Sequence, residues 1–494
     1  MAYCEECGAT LNEGDKFCEL CGAPVEVVAS AEKVAGCAEK GIIITRESVL
    51  LGQLGADSTA FGEIINWYIK EAVKRGVGYT YINLDSKIGC TNKPADVVRE
   101  LCSLVREYQP KYLFILGNED VIGVQSWENR SQDSDSTVDS DLCYSTLDLN
   151  SPFEGQKYDF DSILRVGRLP SYDGEELSAF EGYLSVAASN SGRIDEVKAY
   201  GLSAHVWEDE SNDEFKAVSS KRVETSPDIE CEDVEELTAG GENLFFFNLH
   251  GSNQTKYWYG QEGGDYPEAV EPLSFEGDAY PFFLGVEACY GAKFIGGLEP
   301  KDSILLTALQ NYCMAFLGSS KIAYGTSRPD GCCADLVVGE YIKCLAKGYS
   351  AGDAHVAGLK RLMGTGEVDD SEIKTLAEFA LYGDPSVRMM DGGASGGKSF
   401  TVTTRPLTVS MPNVLAAVRM ELTKVSDKIN ALIDDYANSH NLLGGNLSAA
   451  DSKVFKMGSN RYQKIYSFDD GKLKHIAKVY FDGNGAVKKA VVSK

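Results

Sequence analysis

The sequence lacks any uninterrupted apolar run of about 18 residues, the length that a membrane-spanning helix requires. Its first residues contain neither a basic cluster nor an apolar segment, so they do not resemble a secretory signal. We therefore expect a soluble, cytoplasmic protein that does not bind membranes.

Positive charge is also scarce, because 47 Lys and Arg residues oppose 74 Asp and Glu residues and the net charge is -27 at pH 7. Proteins bind nucleic-acid phosphates mainly through Lys and Arg, so this balance argues against a general nucleic-acid-binding function. Hydrophobic residues make up 43% and charged residues 24%, which is typical of a folded globular protein and not of a disordered one. A chain of 494 residues should form several folded units.

The cysteines are unevenly placed, and the first four form two Cys-x-x-Cys pairs, each followed by glycine. These predicted metal ligands are Cys4, Cys7, Cys18 and Cys21. Because four thiolates complete a tetrahedral site, we predict one structural zinc ion per chain and no catalytic role for it. A module this small cannot bury a useful core, so zinc would supply its folding energy. The predicted ribbon covers residues 1–26, and a linker follows at 27–40.

Short apolar runs alternate with helical patterns from residue 41 to about 390, which is typical of a parallel sheet covered on both faces. The fold class predicted here is α/β, with an N-terminal subdomain at 41–190 and a catalytic subdomain at 191–391. The predicted strands are 41–45, 79–83, 112–116, 196–204, 244–249, 282–286 and 314–324, and the first helices are 63–75 and 95–108.

Two reactive side chains follow predicted strands. His250 comes directly after the run Leu244–Leu249, and Cys289 comes shortly after Phe282–Val286. Ligands of open parallel sheets bind at the carboxyl ends of the strands, so neighbouring strands would bring these residues together. The imidazole could then receive the thiol proton and pass it to a leaving amine. The N–H groups of Gly251 and Cys289 could form an oxyanion hole.

The segments around these residues resemble motifs of the gingipain-type cysteine peptidases, which are related to caspases. The similar segments, in chain order, are 113–120, 140–144, 166–170, 248–252, 287–291 and 381–386. The resemblance implies a caspase-like fold, a Cys-His dyad and often a preference for a basic residue before the cut. Relatives have an acidic residue that supports the histidine, whereas this chain has His205 at the matching place. Either another carboxylate orients His250, or the dyad works without one.

The acidic segment 208–214 follows the predicted strand 196–204 and lies at the same edge of the sheet. A buried Asp there could hold an Arg or Lys side chain of a substrate, and Asp213 is our choice for this role. Trp258 or Tyr257 could form an aromatic wall beside it. The alternative is that this segment is only a solvated acidic loop.

The C-terminal part has a different character, with a Gly-Ser linker at 392–411 and a helix plus a small antiparallel sheet at 412–494. The helix is predicted from an apolar stripe at Val418, Leu422, Val425, Ile429, Leu432 and Tyr436. Asp-Gly and Asn-Gly turns near 470 and 484 predict hairpins. The sheet is rich in lysine, so it would dock on the acidic body or bind a separate protein.

These patterns together predict a cysteine endopeptidase with Cys289 as the nucleophile and His250 as the general base and acid, preferring Arg or Lys before the cut. Its partners would be a peptide or protein substrate and a protein bound through the ribbon or the basic sheet. Two alternatives stay open, namely a catalytically silent scaffold of the same fold and a zinc-ribbon adaptor that binds peptide without cutting it. The presence of both His250 and Cys289 favours the enzyme.

Overall fold

The computed structural model describes residues 2–3, 10–11 and 37–494, apart from 88, 157, 234–239, 278–279, 327–330, 365–367 and 392–419. The four predicted zinc ligands and the predicted linker at 392–411 lie outside the described residues.

Strands of the described residues form one large sheet and several smaller ones. In chain order they are β1 (Ala2–Tyr3), β2 (Thr10–Leu11), β3 (Glu39–Thr45), β4 (Val77–Asn83), β5 (Tyr112–Leu116), β6 (Gln125–Glu128), β7 (Thr137–Ser140), β8 (Arg165–Leu169), β9 (Ala199–Ala204), β10 (Glu224–Ser226), β11 (Leu244–Asn248), β12 (His250–Gly251), β13 (Trp258–Tyr259), β14 (Glu268–Val270), β15 (Phe282–Val286), β16 (Cys313–Ser319), β17 (Tyr324–Gly325), β18 (Phe379–Gly383), β19 (Glu421–Thr423), β20 (Asp451–Lys456), β21 (Arg461–Asp469), β22 (Lys474–Asp482) and β23 (Val487–Ser493).

The large sheet has ten strands in the order β10-β9-β11-β15-β16-β18-β8-β5-β3-β4. Strand β18 is antiparallel to β16, and every other neighbouring pair in this sheet is parallel. The sheet runs without a break across the predicted boundary between 190 and 191, because β18 pairs with β8. The two predicted subdomains therefore share one sheet, and the predicted α/β fold class is confirmed.

Helices cover this sheet. The α-helices of the described residues are Glu47–Leu54, Ser58–Lys74, Pro94–Tyr108, Leu142–Thr146, Leu177–Asn190, Glu208–Phe215, Ile304–Gln310, Ala334–Leu345, Ala351–Met363, Asp370–Glu378 and Asp427–Ser439. The sequence of β11 shows why both faces must be covered. Its three successive phenylalanines alternate between the faces, and Phe245, Phe246 and Phe247 are all fully buried.

The C-terminal strands β19 to β23 form an antiparallel sheet that β17 of the preceding α/β part joins, in the order β17-β23-β22-β21-β20-β19. Both predicted hairpins are confirmed, since β21 pairs with β22 and β22 with β23. The prediction that the helix includes Leu422 and Val425 is wrong, because Leu422 lies in β19, opposite Phe455 of β20, and Val425 precedes the helix. Val418 lies outside the described residues. The helix begins at Asp427, where the side chain of Ser426 caps it by accepting a hydrogen bond from the N–H of Ile429.

Within the described part of the chain, no helix has both the length and the apolar character needed to cross a bilayer.

Candidate active site

Strands β11 and β15 are parallel neighbours, with Phe247 opposite Val286, so their carboxyl ends meet at one edge of the sheet. His250 and Cys289 follow these ends. The two loops touch closely, because a Cβ atom on Gly251 would lie 1.8 Å from the carbonyl oxygen of Cys289. Only glycine fits at this position, and the structure thus brings the backbones of the predicted dyad together.

The two N–H groups predicted as oxyanion donors point at one oxygen atom. The N–H of Cys289 donates to the main-chain oxygen of Lys494 at 3.1 Å, and the N–H of Gly251 donates to the same oxygen at 3.5 Å. Two backbone donors that converge on a carbonyl oxygen are the arrangement that stabilises a developing oxyanion. In this structure the oxygen of Lys494 occupies the position between these two predicted donors.

The ring of His250 is held by an amide, not by a carboxylate. Its Nε2 lies 2.8 Å from Oε1 of Gln261, while Nε2 of Gln261 donates to the carbonyl oxygen of Gly263 at 3.0 Å. Since the Gln261 oxygen can only accept, Nε2 of His250 carries the hydrogen and Nδ1 is left as the basic nitrogen. The side chain of Trp207 packs on this ring at 4.4 Å between centroids. Gln261 was not among the predicted site residues, because nothing in the local sequence pattern marks it.

Burial favours the neutral form of both members of the predicted dyad. Burial, with a smaller contribution from His475, lowers the pKa of His250 to about 3. Burial raises the pKa of the Cys289 thiol, and its Sγ donates to the carbonyl oxygen of Ala323 at 3.5 Å. A histidine beside a cysteine normally makes the thiol more acidic. The closed site shows the opposite, because it is sealed from water.

An acidic pocket lies beside the dyad and contains the side chain of Lys494. Its Nζ is 2.9 Å from Glu210, 3.2 Å from Asp335 and 3.9 Å from Glu287, and it lies 4.2 Å from the centre of the Trp207 ring. The ammonium group is fully buried. Burial alone would lower the pKa of Lys494, but the three carboxylates together raise it.

The backbone of Gly325 forms part of the wall of this pocket. A Cβ atom on Gly325 would lie 1.9 Å from Cε of Lys494, so the absence of a side chain there makes room for the lysine stem. Asp335 is fixed by the N–H groups of Thr326 and Cys332, which donate to its Oδ2 at 2.9 and 2.8 Å. Burial, followed by the nearby Asp335, raises the pKa of Glu287 well above its usual value. The pocket thus offers fixed carboxyl oxygens to one compact cation.

The structure does not bring the two predicted specificity residues to this pocket. Asp213 lies on the exposed side of the helix Glu208–Phe215, where it pairs with Lys216. Trp258 is buried in the core against Phe247 and Phe316. The acidic segment does contribute, but through Glu210 on the buried face of the helix. His205 is exposed, so it does not take over the role of the missing acid.

Comparison with known proteins identifies the family of this chain. The sequence profile of peptidase family C25 matches residues 92–390, which is more than half of the chain. The chain belongs to peptidase family C25. This is the gingipain-type family of cysteine peptidases, so the resemblance seen in the motifs is confirmed.

One solved structure supports the fold of this family. The crystal structure of the Arg-specific cysteine proteinase gingipain R is similar with a TM-score of 0.51 and 11% identity, covering 92% of this chain and 96% of that chain. A second structure, named only as a protease, has a TM-score of 0.48 and 11% identity, covering 92% of this chain and 91% of that chain. No curated protein matches the sequence.

The N-terminal segment has a match of its own. The profile of a zinc-ribbon domain matches residues 3–25, a range that contains all four predicted ligand cysteines. Of this segment, the structure describes only the antiparallel pair of β1 and β2. Elsewhere in the described residues, no group of three or more His, Cys, Asp or Glu side chains is placed to hold a metal ion.

Burial of His250 should make the free energy of unfolding depend on pH. Its pKa is about 3 in the folded state and about 6.5 when unfolded, so the full stability is present above pH 6.5 and is lost as the pH falls toward 3. Uptake of one proton on unfolding lowers the free energy of unfolding by at most about 1.4 kcal/mol per pH unit. We expect His250→Gln to reduce the slope of unfolding free energy against pH between 6.5 and 4.5, measured by urea titration. The exposed His440→Gln is the control, and an equal change of slope in both variants would contradict the prediction.

Proposed function

We propose that this protein is a cysteine endopeptidase that cleaves after a basic residue, lysine in particular, with Cys289 as the nucleophile and His250 as the general base and acid. The observation that carries the proposal is the position of Lys494. Its main-chain oxygen receives hydrogen bonds from Gly251 and Cys289, while its ammonium group fills an acidic pocket. One lysine residue therefore satisfies both features that a substrate residue before the cut must satisfy.

The chemistry follows from the tautomer of the histidine. Nδ1 of His250 takes the thiol proton, and Sγ of Cys289 attacks the substrate carbonyl carbon. The N–H groups of Gly251 and Cys289 stabilise the oxyanion. His250 then gives the proton to the leaving amine, and the C–N bond breaks to leave a thioester on Cys289. Water hydrolyses this thioester, with the same histidine acting as the base. Gln261 is a positioning residue, since it fixes the ring through Nε2.

Matched peptides that differ at one position test this function. The position would be lysine, arginine or norleucine, which has a straight apolar chain without the charge, and mass spectrometry would locate each cut. We expect cleavage after lysine, weaker cleavage after arginine and little after norleucine. A chloromethyl ketone of a lysyl peptide should alkylate Cys289. Both assays need the wild-type protein and a Lys494→Ala protein, whose pocket is not filled by the chain itself. Absence of cleavage and labelling in both proteins would favour a silent scaffold.

The N-terminal segment is proposed to bind one structural zinc ion through Cys4, Cys7, Cys18 and Cys21. The match to a zinc-ribbon domain over residues 3–25 supports this. Four protein thiolates leave no open position for substrate or water, so the metal would stabilise the ribbon and take no part in cleavage. The ribbon would instead bind a protein partner, and the predicted cytoplasmic location stays a prediction.

This division of roles predicts the effect of removing the ribbon. A truncated protein that begins at Glu39 should keep its turnover of a short peptide and should contain no zinc. The full-length protein should contain one zinc ion per chain by elemental analysis, lost when all four cysteines are replaced by serine. A truncated protein that is folded by circular dichroism but fails to cleave the peptide would place the ribbon in the active unit.

A further inference from the structure

Strand β23 extends beyond its own sheet and pairs with the catalytic part. It is antiparallel to β17, with Ser493 opposite Tyr324. The N–H of Lys494 continues this pattern by donating to the carbonyl oxygen of Ala323 at 3.0 Å. Extended peptides commonly bind proteins by adding a strand to an edge in this way. The end of β23 therefore lies beside the proposed nucleophile as an extended peptide ligand would.

The contacts of Lys494 also resemble those of a residue in a bound peptide. Its N–H and main-chain oxygen are both bound by backbone groups around Cys289, and its side chain is surrounded by Glu210, Asp335 and Glu287. Main-chain hydrogen bonds give affinity to such a complex, and the side-chain pocket gives it specificity. Lys494 of the same chain thus occupies the pocket and accepts the hydrogen bonds of the proposed oxyanion donors.

Charges anchor the rest of the sheet on the catalytic part. Nζ of Lys489 lies 2.8 Å from Asp369 and 3.0 Å from Glu372. Lys478 is fully buried, with Nζ 3.8 Å from the centre of the Tyr324 ring. The basic surface predicted for the C-terminal sheet therefore faces the acidic body of the same chain.

The hairpin between β21 and β22 covers the histidine. The hydroxyl of Ser252 donates to the carbonyl oxygen of Lys472 at 2.6 Å, and the ring of His475 lies 5.9 Å from that of His250. Cys289 is only 3% exposed and His250 only 5%. The cavity left beside His250 is about 180 Å³, below the roughly 300 Å³ of a small ligand site. A substrate cannot reach the dyad unless this sheet moves.

We propose that the C-terminal strand β23 is an intramolecular occupant of the substrate cleft, which keeps the peptidase latent by placing Lys494 where a substrate lysine binds. This inference rests on the proposed function and adds its regulation. Occupation of the cleft by the chain itself explains why His250 and Cys289 are both buried. Activation then requires displacement of the C-terminal sheet from the acidic body.

Lys494→Ala tests this directly, because it removes the ammonium group and leaves the sheet intact. An intramolecular ligand acts at an effective concentration of about 1 mM, so a tail that binds with a Kd of about 10–100 μM would lower activity about 10- to 100-fold. We expect kcat/KM for a lysyl peptide to rise by that factor in Lys494→Ala. Lys488→Ala is the matched control, since Lys488 lies in the same strand but is 62% exposed.

Two further measurements separate release of the site from a change in folding. Iodoacetamide should alkylate Cys289 faster in Lys494→Ala than in the wild type, relative to the partly exposed Cys102. A peptide with the sequence 490–494 should inhibit Lys494→Ala competitively, and the same peptide ending in norleucine should not. Equal activity and equal alkylation in both proteins would overturn the latency while leaving the peptidase function standing. No activity in Lys494→Ala would overturn the peptidase function itself, and the latency with it.

Discussion

Replacing Cys289 with alanine is expected to lower kcat for cleavage of a lysyl peptide by at least about 10⁴-fold, because loss of a nucleophile removes the covalent route. The residual rate would come from the oxyanion donors and from substrate binding. The N–H of Cys289 belongs to the backbone and stays in place, so the substitution removes the sulfur alone. The measurement is single-turnover cleavage in the Lys494→Ala background, where the site is open under the proposed latency.

The matched control for this substitution is Cys313→Ala. Cys313 lies in the neighbouring strand β16 and is fully buried, so its replacement leaves a similar cavity in the same sheet. We expect this variant to keep its activity once folded. If Cys289→Ala retained cleavage comparable to that of Cys313→Ala, the nucleophile would have to be another residue.

The strands that form the site were predictable because continuous apolar runs in the sequence indicate buried strands. Strands β11 and β15 are buried at every position, and such strands appear as continuous apolar runs. Their carboxyl ends meet by the rule for parallel sheets, which places His250 and Cys289 at one edge. The family resemblance added the expectation of a gingipain-type fold, which the similarity to gingipain R supports.

The acidic pocket was only partly predictable, because its carboxylates come from three distant segments. The acidic segment 208–214 was identified, but the choice between Glu210 and Asp213 depends on which face of the helix is buried. Glu287 stands two residues before Cys289 at a strand end, which is a signal that could have been used. Asp335 begins a separate helix, and its contact with the pocket depends on tertiary packing alone.

The occupant of the cleft was beyond sequence reasoning. The pairing of β23 with β17 joins residues that are more than 160 positions apart, and neither strand carries a local mark of its partner.

A similar limit of local sequence patterns explains the error at Leu422. Apolar residues spaced by three and four also fit a short strand followed by a helix, and a short stretch does not decide between them.

Replacing Asp335 with asparagine should have the largest effect among pocket variants on cleavage after lysine. Asparagine has the same shape, and its side-chain oxygen can still accept from Thr326 and Cys332. The change leaves a buried ammonium group with one fewer carboxylate, and breaking such a pair costs about 3–5 kcal/mol. In the Lys494→Ala background, where the lysine of the chain itself does not compete for the pocket, we expect kcat/KM for a lysyl peptide to fall about 100- to 5,000-fold. A norleucine peptide should show little change. A parallel loss for both peptides would indicate damage to the fold.

Glu210→Gln should behave differently, because its effect depends on pH. Burial is the main cause that raises the pKa of Glu210 to about 8, with Lys494 opposing it and Asp335 adding to it. Below pH 8 the carboxyl is mostly protonated, so glutamine replaces a neutral group and cleavage after lysine should change little. Above pH 8 the Glu210 carboxyl ionises while the substrate lysine stays charged. In the Lys494→Ala background, where the lysine of the chain itself does not compete for the pocket, Glu210→Gln should then lower kcat/KM about tenfold at pH 9, since one added charge contributes about 1.4 kcal/mol. The exposed Asp213→Asn, on the same helix, should show no such divergence, and a pH-independent loss in Glu210→Gln would mean that Glu210 is ionised throughout.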